Sequence, residues 1–132
     1  PLAKNSAGDE ITFTQKDIRE IQLAKSAIRA GFETMLKRYG ASYSDIDRLY
    51  IAGGFGYYLD VKKAAKIGMI PEELLEKSVA AGNTSLLGAV KFLTEQKNAE
   101  ETVSRLAGLG QEIALSSDRD FNDFYMEYMM FE

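Results

Sequence analysis

The sequence predicts an α/β domain: a short central sheet flanked by helices. Two observations carry that prediction. Short runs rich in β formers punctuate the chain: "RLYIAG" over Arg48–Gly53, "SVAAG" over Ser78–Gly82 and "EIALS" over Glu112–Ser116. The longer segments around them repeat their apolar residues at helical spacing. Alternation of the two kinds of segment is the pattern of a sheet covered by helices.

Each element has its own warrant. Residues 1–9 are small and polar and read as a linker or an edge of the domain. "EITFTQ", Glu10–Gln15, alternates briefly and reads as a short strand. Thr14, with Asp17 three positions on, is an N-cap signal. Behind it Ile18, Ile21, Ala24, Ile28, Phe32, Met35 and Leu36 form a broad apolar helix face ending at about Tyr39, with Gly40 as the stop. "RLYIAG" follows as a buried strand, and Asp60–Ile67 as a helix ended by Gly68. Pro71 opens a short helix, because its fixed φ suits a first turn. After "SVAAG", Asn83 or Thr84 starts a helix to about Leu93, and Asn98 caps another over Ala99–Ala107. "EIALS" is a third strand. The tail, Asp120–Phe131, is dense in Phe, Tyr and Met and is expected to pack over the sheet as a last helix or strand. The sharper alternative is that it docks another lobe or a partner protein, since aromatics and Met are enriched at interfaces.

Composition narrows the function classes. The chain has 132 residues, which fits one domain able to bury a core without disulfides. It contains no Cys and no His, which removes thiolate nucleophiles, cysteine-held clusters, imidazole bases and the usual zinc sites. The net charge of −4 argues against a nucleic-acid binder. No apolar run approaches the roughly 20 residues of a membrane span, and no signal peptide is evident, so the default is a cytoplasmic protein. The first residue is Pro1, so the chain reads as a piece of a longer protein. Acidic pairs such as Asp45 with Asp47, Asp118 with Asp120 and Glu72 with Glu73 read as exposed caps and turns.

Three stretches are candidate sites. "AGGFG", with Gly53, Gly54, Phe55 and Gly56, follows a strand and precedes a helix. Ligands gather at the carboxyl ends of strands in α/β folds, and glycines there let a ligand reach the main chain. The plain reading is a tight turn needing positive φ. "AAGNTSLLGA", Ala80–Ala89, places Gly82 and Asn83 at the next strand end, where small residues serve either packing or ligand approach. Gln22, Lys25, Ser26 and Arg29 share the polar face of the long helix. That face is a solvated surface in the plain reading; in the sharper one its two basic groups meet phosphate or ribose.

In that order the motifs become specific. "ITFTQKDIREIQLAKSAIRAGFETML" with "IDRLYIAGGFGYYLDVKKAAKIGMIP" closely resembles the C-terminal domain of the reductive activators of corrinoid proteins. "AAGNTSLLGA" and the ending "EIALSSDRDFNDFYMEYMMF" fit the same family, so the resemblance covers about Glu10–Phe131. It implies the superfamily of sugar kinases, actin and heat-shock chaperone ATPases, and with it a three-layer, actin-like (ribonuclease H-like) lobe over residues 10–132. It further implies a full-length protein that uses Mg-ATP to drive one-electron reduction of an inactive cob(II)alamin to cob(I). The acceptor sits on a corrinoid protein of methyl transfer, in anaerobic metabolism. The iron–sulfur cluster would lie in another domain, because this chain has no Cys.

By motif, Gly53, Gly54, Phe55 and Gly56 occupy the superfamily's adenosine turn. Gln22, Lys25, Ser26 and Arg29 lie on the helix that flanks adenine and ribose in the chaperone relatives, and Gly82 and Asn83 near the pocket wall. No match to the superfamily's phosphate loops or metal-binding acids is found. Partners implied are the corrinoid protein and the other lobe of the same chain, with a homodimer left open. The isolated chain is expected to be inactive. Two alternatives stand beside this: an actin-like interaction module without nucleotide turnover, and a lobe of another activator ATPase of the superfamily, such as a dehydratase activator.

Overall fold

The computed structural model describes residues 2–131, and the side chains of all of these except 55, 57 and 96–98. A small antiparallel hairpin opens it, β1 (Ala3–Lys4) against β2 (Glu10–Ile11). Asn5 ties its turn, accepting from the amides of Ala7 and Asp9 at 2.9 Å. Part of the stretch expected to be a bare linker is therefore a strand. The strand expected over Glu10–Gln15 is correspondingly short, because Thr14 is already committed to the helix cap.

That helix, α1 (Gln15–Tyr39), has the predicted ends. The Thr14 hydroxyl accepts from the amide of Asp17, and the Asp17 carboxylate accepts from the amide of Thr14 at 2.7 Å, so two orphan donors are satisfied reciprocally. Gly40 closes the other end in the left-handed region at φ 70°. Strand β3 (Leu49–Ala52) follows, then a short helix α2 (Gly54–Tyr58), then α3 (Val61–Lys66) capped by Asp60. A 3-10 segment over Glu72–Lys77 stands where Pro71 was expected to open a short helix. It leads into β4 (Ser78–Gly82), which pairs parallel with β3, Tyr50 opposite Val79 and Ala52 opposite Gly82.

The core lies on one side of this pair. Ala64, Met69 and Ile70 form its buried centre, with Leu49, Ile51, Leu59, Val61 and Ile67 packed around them. The alternation along β3 follows: Leu49 and Ile51 face in, Tyr50 and Ala52 face out.

Two expectations are corrected. One helix, α4 (Thr84–Leu109), runs where two were expected with a break at Asn98. The side chain of Asn98 lies outside the described ones, but its backbone is helical. The stretch Thr94–Glu101 contains neither Gly nor Pro, and an interior Asn costs less than about 0.7 kcal/mol, so nothing there stops a helix. The strand expected at Glu112–Ser116 is absent; the segment is irregular and ends in a 3-10 turn over Leu115–Ser117. Among the described residues the sheet has two strands, and a run with no neighbour to pair with cannot satisfy its backbone as a strand.

The tail forms α5 (Arg119–Glu127), capped by Asp118. It is the expected last helix, but it lies along α1 and not over the sheet.

Candidate functional site

The parallel pair β3 and β4 delivers two glycine turns to the same sheet end. Gly53 follows β3 and takes φ 98°, which a side chain rarely tolerates. Its amide donates to the carbonyl of Gly82 at 2.7 Å, tying the two strand ends together. Gly56 is needed for a different reason. A Cβ there would lie 2.9 Å from Ile51 Cγ2 and 3.2 Å from the Ile51 carbonyl, so α2 folds back hard against β3. Gly53 and Gly54 are the opposite: among the described residues a Cβ on either would meet nothing within 4 Å. Open space stands over bare main chain at the carboxyl end of a parallel strand. The side chain of Phe55 lies outside the described ones.

On the second strand end Gly82 also has positive φ, 66°. Asn83 caps α4, its Oδ1 accepting from the amide of Leu86 at 3.0 Å. The amide oxygen of Asn83 is therefore spent on the helix, and what this strand end can still offer a ligand is backbone and the Asn83 side-chain N–H donors.

The four α1 residues lie elsewhere, in a dense polar seam beneath α5. The plain expectation of a solvated face is overturned: Lys25 is 2% exposed and Ser26 fully buried. Lys25 Nζ donates to the carbonyl of Met130 and lies 5.2 Å from the centre of the Phe131 ring. Ser26 Oγ donates to the carbonyl of Tyr125, one of the orphan acceptors in the last turn of α5. Gln22 Nε2 approaches Met130 Sδ at 3.9 Å. Arg29 pairs with Glu33 at 2.6 Å, donates to the Tyr43 hydroxyl at 2.9 Å, and lies 4.6 Å from the centre of the Tyr128 ring. A buried cation near a helix C-terminus offsets the negative end of its dipole, so Lys25 steadies α5. Sequence reasoning missed this because the partners lie about a hundred residues away, and what Lys25 and Ser26 hydrogen-bond to there, the carbonyls of Met130 and Tyr125, is main chain.

Electrostatics bind the seam further. Burial disfavours charge on Arg29, but its bond to Glu33 and the neighbouring Tyr43 outweigh that and hold its pKa above the ordinary value. Burial, reinforced by the hydrogen bond to Glu33, pushes the Tyr43 phenol up, so it stays neutral. Asp118 is held below the ordinary carboxylate range, first by the amide of Phe121 and then by Arg38. Three of the carboxylates singled out in the sequence are caps or ion-pair partners: Asp45 caps the Ser42 turn, Asp118 caps α5 and pairs with Arg38, and Asp120 meets Lys37 at 2.7 Å. Among the described residues no three Asp or Glu side chains converge to hold a metal ion, and no helix is long and apolar enough to cross a membrane.

The structure therefore brings Gly53, Gly54, Gly56, Gly82 and Asn83 together at one sheet end. It gathers Gln22, Lys25, Ser26 and Arg29 in a second place, under α5.

Comparison with known proteins adds to this geometry. Residues 2–132 match the family described as the C-terminal domain of RACo, the ASKHA domain. The chain is 35% identical over 128 residues to the corrinoid activation enzyme RamQ of Eubacterium limosum, covering 97% of this chain and 21% of that protein. It is 30% identical over 127 residues to a [Co(II) methylated amine-specific corrinoid protein] reductase of Methanosarcina barkeri, covering 96% of this chain and 23% of that one. A solved structure of a reductive activator for corrinoid, iron–sulfur protein aligns with TM-score 0.84 at 36% identity, over 96% of this chain and 20% of that one. The chain spans between a fifth and a quarter of the length of the curated relatives it matches.

Proposed function

The chain belongs to the family of RACo C-terminal ASKHA domains, an α/β fold of the actin-like kind, and from that premise we propose that it is the nucleotide-facing lobe of an ATP-dependent reductive activator of corrinoid proteins. The observation that carries the reading is the bare main chain at Gly53 and Gly54, open above and tied below to Gly82. Side-chain-free backbone at the carboxyl end of a parallel strand lets the flat, polar part of a nucleotide lie against it.

The residues present fit the group. Gly53, Gly54 and Gly56, with the backbone of Phe55, form the floor under adenosine and α-phosphate; Gly82 and Asn83 form the adjoining wall. Gly56 positions this floor by letting α2 close on Ile51. Gln22, Lys25, Ser26 and Arg29 are the weaker half of the reading: each is engaged by α5 or by the residues just after it, so a nucleotide reaches them only if that C-terminal segment moves. Bound Mg-ATP supplies the free energy of hydrolysis that makes an uphill electron transfer proceed. Mg would arrive with the phosphates and be held by groups of the other lobe.

In the full-length protein the lobe would serve reduction of cob(II)alamin to cob(I) on a corrinoid protein of methyl transfer. Electrons would enter through an iron–sulfur domain elsewhere in the chain, since this lobe has no Cys. A cytoplasmic, anaerobic setting follows from that chemistry. Alone, the lobe offers half a cleft and turns over no ATP, because phosphoryl transfer depends on positioning from both sides.

The test is Gly54→Val in the full-length activator. Its Cβ meets nothing among the described residues and its φ is unstrained, so the fold should be unaffected, while the added branch intrudes where the nucleotide lies. We expect at least about tenfold weaker ATP binding, or 1.4 kcal/mol, at an unchanged melting temperature. Unchanged ATP affinity would contradict the reading.

A further inference from the structure

Helix α4 is apolar and almost uncovered. Leu86, Val90 and Leu93 recur at i, i+4 and i+7 on one stripe, and Leu86 and Leu93 are 60% and 70% exposed. Among the described residues no other element packs broadly along it. A second bare surface accompanies it. Tyr50 and Val79, paired in register across the two strands, stand 58% and 40% exposed on the outer face of the sheet.

These facts conflict with a finished domain. Parallel sheets are buried on both faces, and a two-stranded pair is marginal on its own. A run of exposed leucines along a helix marks an interface. The chain makes up only 20–23% of the relatives it matches, so most of their polypeptide lies outside the matched domain.

We infer that the Leu86–Val90–Leu93 stripe of α4 and the outer sheet face at Tyr50 and Val79 are an internal interface. Its occupant is the polypeptide that precedes this C-terminal domain in the full-length protein. A parallel-sheet face is interior surface in an α/β fold, which favours a segment of the same chain over a second copy. The inference rests on the reading of the chain as one part of a longer activator. It also reassigns the docking role considered for the aromatic tail: α5 is already seated on α1, and among the described residues α4 is the long helix with no element packed broadly along it.

The experiment is hydrogen–deuterium exchange by mass spectrometry on the full-length protein without nucleotide, against this chain alone at low micromolar concentration. Local opening of a helix slows when its face is covered. We expect α4 amides to exchange at least about tenfold more slowly in the full-length protein, with α1 and α5 changed far less. Equal α4 exchange in the two samples would overturn the inference. So would α4 protection in the isolated chain that rises with concentration alongside a dimer mass, since a second copy would then be the occupant. Leu93→Glu in the full-length protein is the second variant: it should return α4 exchange toward the isolated-chain rate, and no change would count against the interface. A parallel run with Mg-ATP reads the amides of residues 53–56. Protection of α4 with no nucleotide effect at 53–56 would sink the ATP reading and leave the interface standing; the reverse result would do the opposite.

Discussion

Helices α4 and α5 both carry apolar residues, and among the described residues only α5 packs along another helix. α5 has nine residues and α4 has 26, yet the shorter helix is the better anchored. α5 and the residues after it are held by side chains from a distant helix: Ser26 takes the carbonyl of Tyr125, Lys25 that of Met130 just beyond the helix, Lys37 pairs with Asp120, and Arg38 with the nearly covered Asp118. Its rings stack in pairs, Phe121 on Tyr125 and Phe124 on Tyr128. α4 has caps and helical hydrogen bonds of its own but presents leucines to solvent. Apolar content therefore does not tell which helix is finished. The polar groups that a neighbouring element spends on it do.

The comparison can be broken most forcefully by deleting residues 118–132. That strips α1 of the helix packed along it and of the carbonyls that Lys25 and Ser26 bind, so cooperative thermal unfolding, followed by far-UV circular dichroism, should be lost. A truncated chain that still melts cooperatively would show that α5 is an ornament on α1. Next in size is Lys25→Ala, expected to cost about 2–3 kcal/mol in denaturant melts through the lost charged hydrogen bond and packing. Gly53→Ala should cost about 1–3 kcal/mol from backbone strain alone, because its new methyl meets no atom of the described residues.

A smaller effect is acid sensitivity. The folded pKa of Asp118 lies below the ordinary value of 3.8, so its contribution is fully present above that value and is lost as pH falls through the lower, folded one. The melting temperature should hold from neutral pH to the upper edge of that window and drop below it, and Asp118→Asn should flatten the drop. Smallest is Leu93→Glu in the isolated chain, expected within about 0.5 kcal/mol because the site is exposed there. A large loss would mean that α4 is covered already.

Much of the fold was legible where the signal was local. Thr14 with Asp17 and Gly40 bound α1 because capping acts within four residues. "SVAAG" gave β4 with its ends, since glycine stops it and Asn83 starts the next helix. What failed depended on distant partners. "EIALS" has strand composition, but no sheet edge reaches it among the described residues. Asn98 is a good cap residue in isolation, but the chain around it continues as helix. Gly53 to Gly56 announced a turn after a strand, and the structure adds why two of the glycines are there: φ at Gly53 and the close approach of Ile51 at Gly56. The polar face at Gln22, Lys25, Ser26 and Arg29 was visible as a cluster, but its use by α5 was not, because backbone carbonyls leave no mark in a sequence.

The most direct measurement is a Mg-ATP titration of this chain followed by amide chemical shifts, which detects the millimolar binding half a cleft can give. We predict saturable shifts concentrated at residues 53–56 and 82–84, with Lys25 and Ser26 unmoved under α5. Saturating nucleotide with no shifts at the glycine turns would contradict the account and leave them as structural turns between strands and helices.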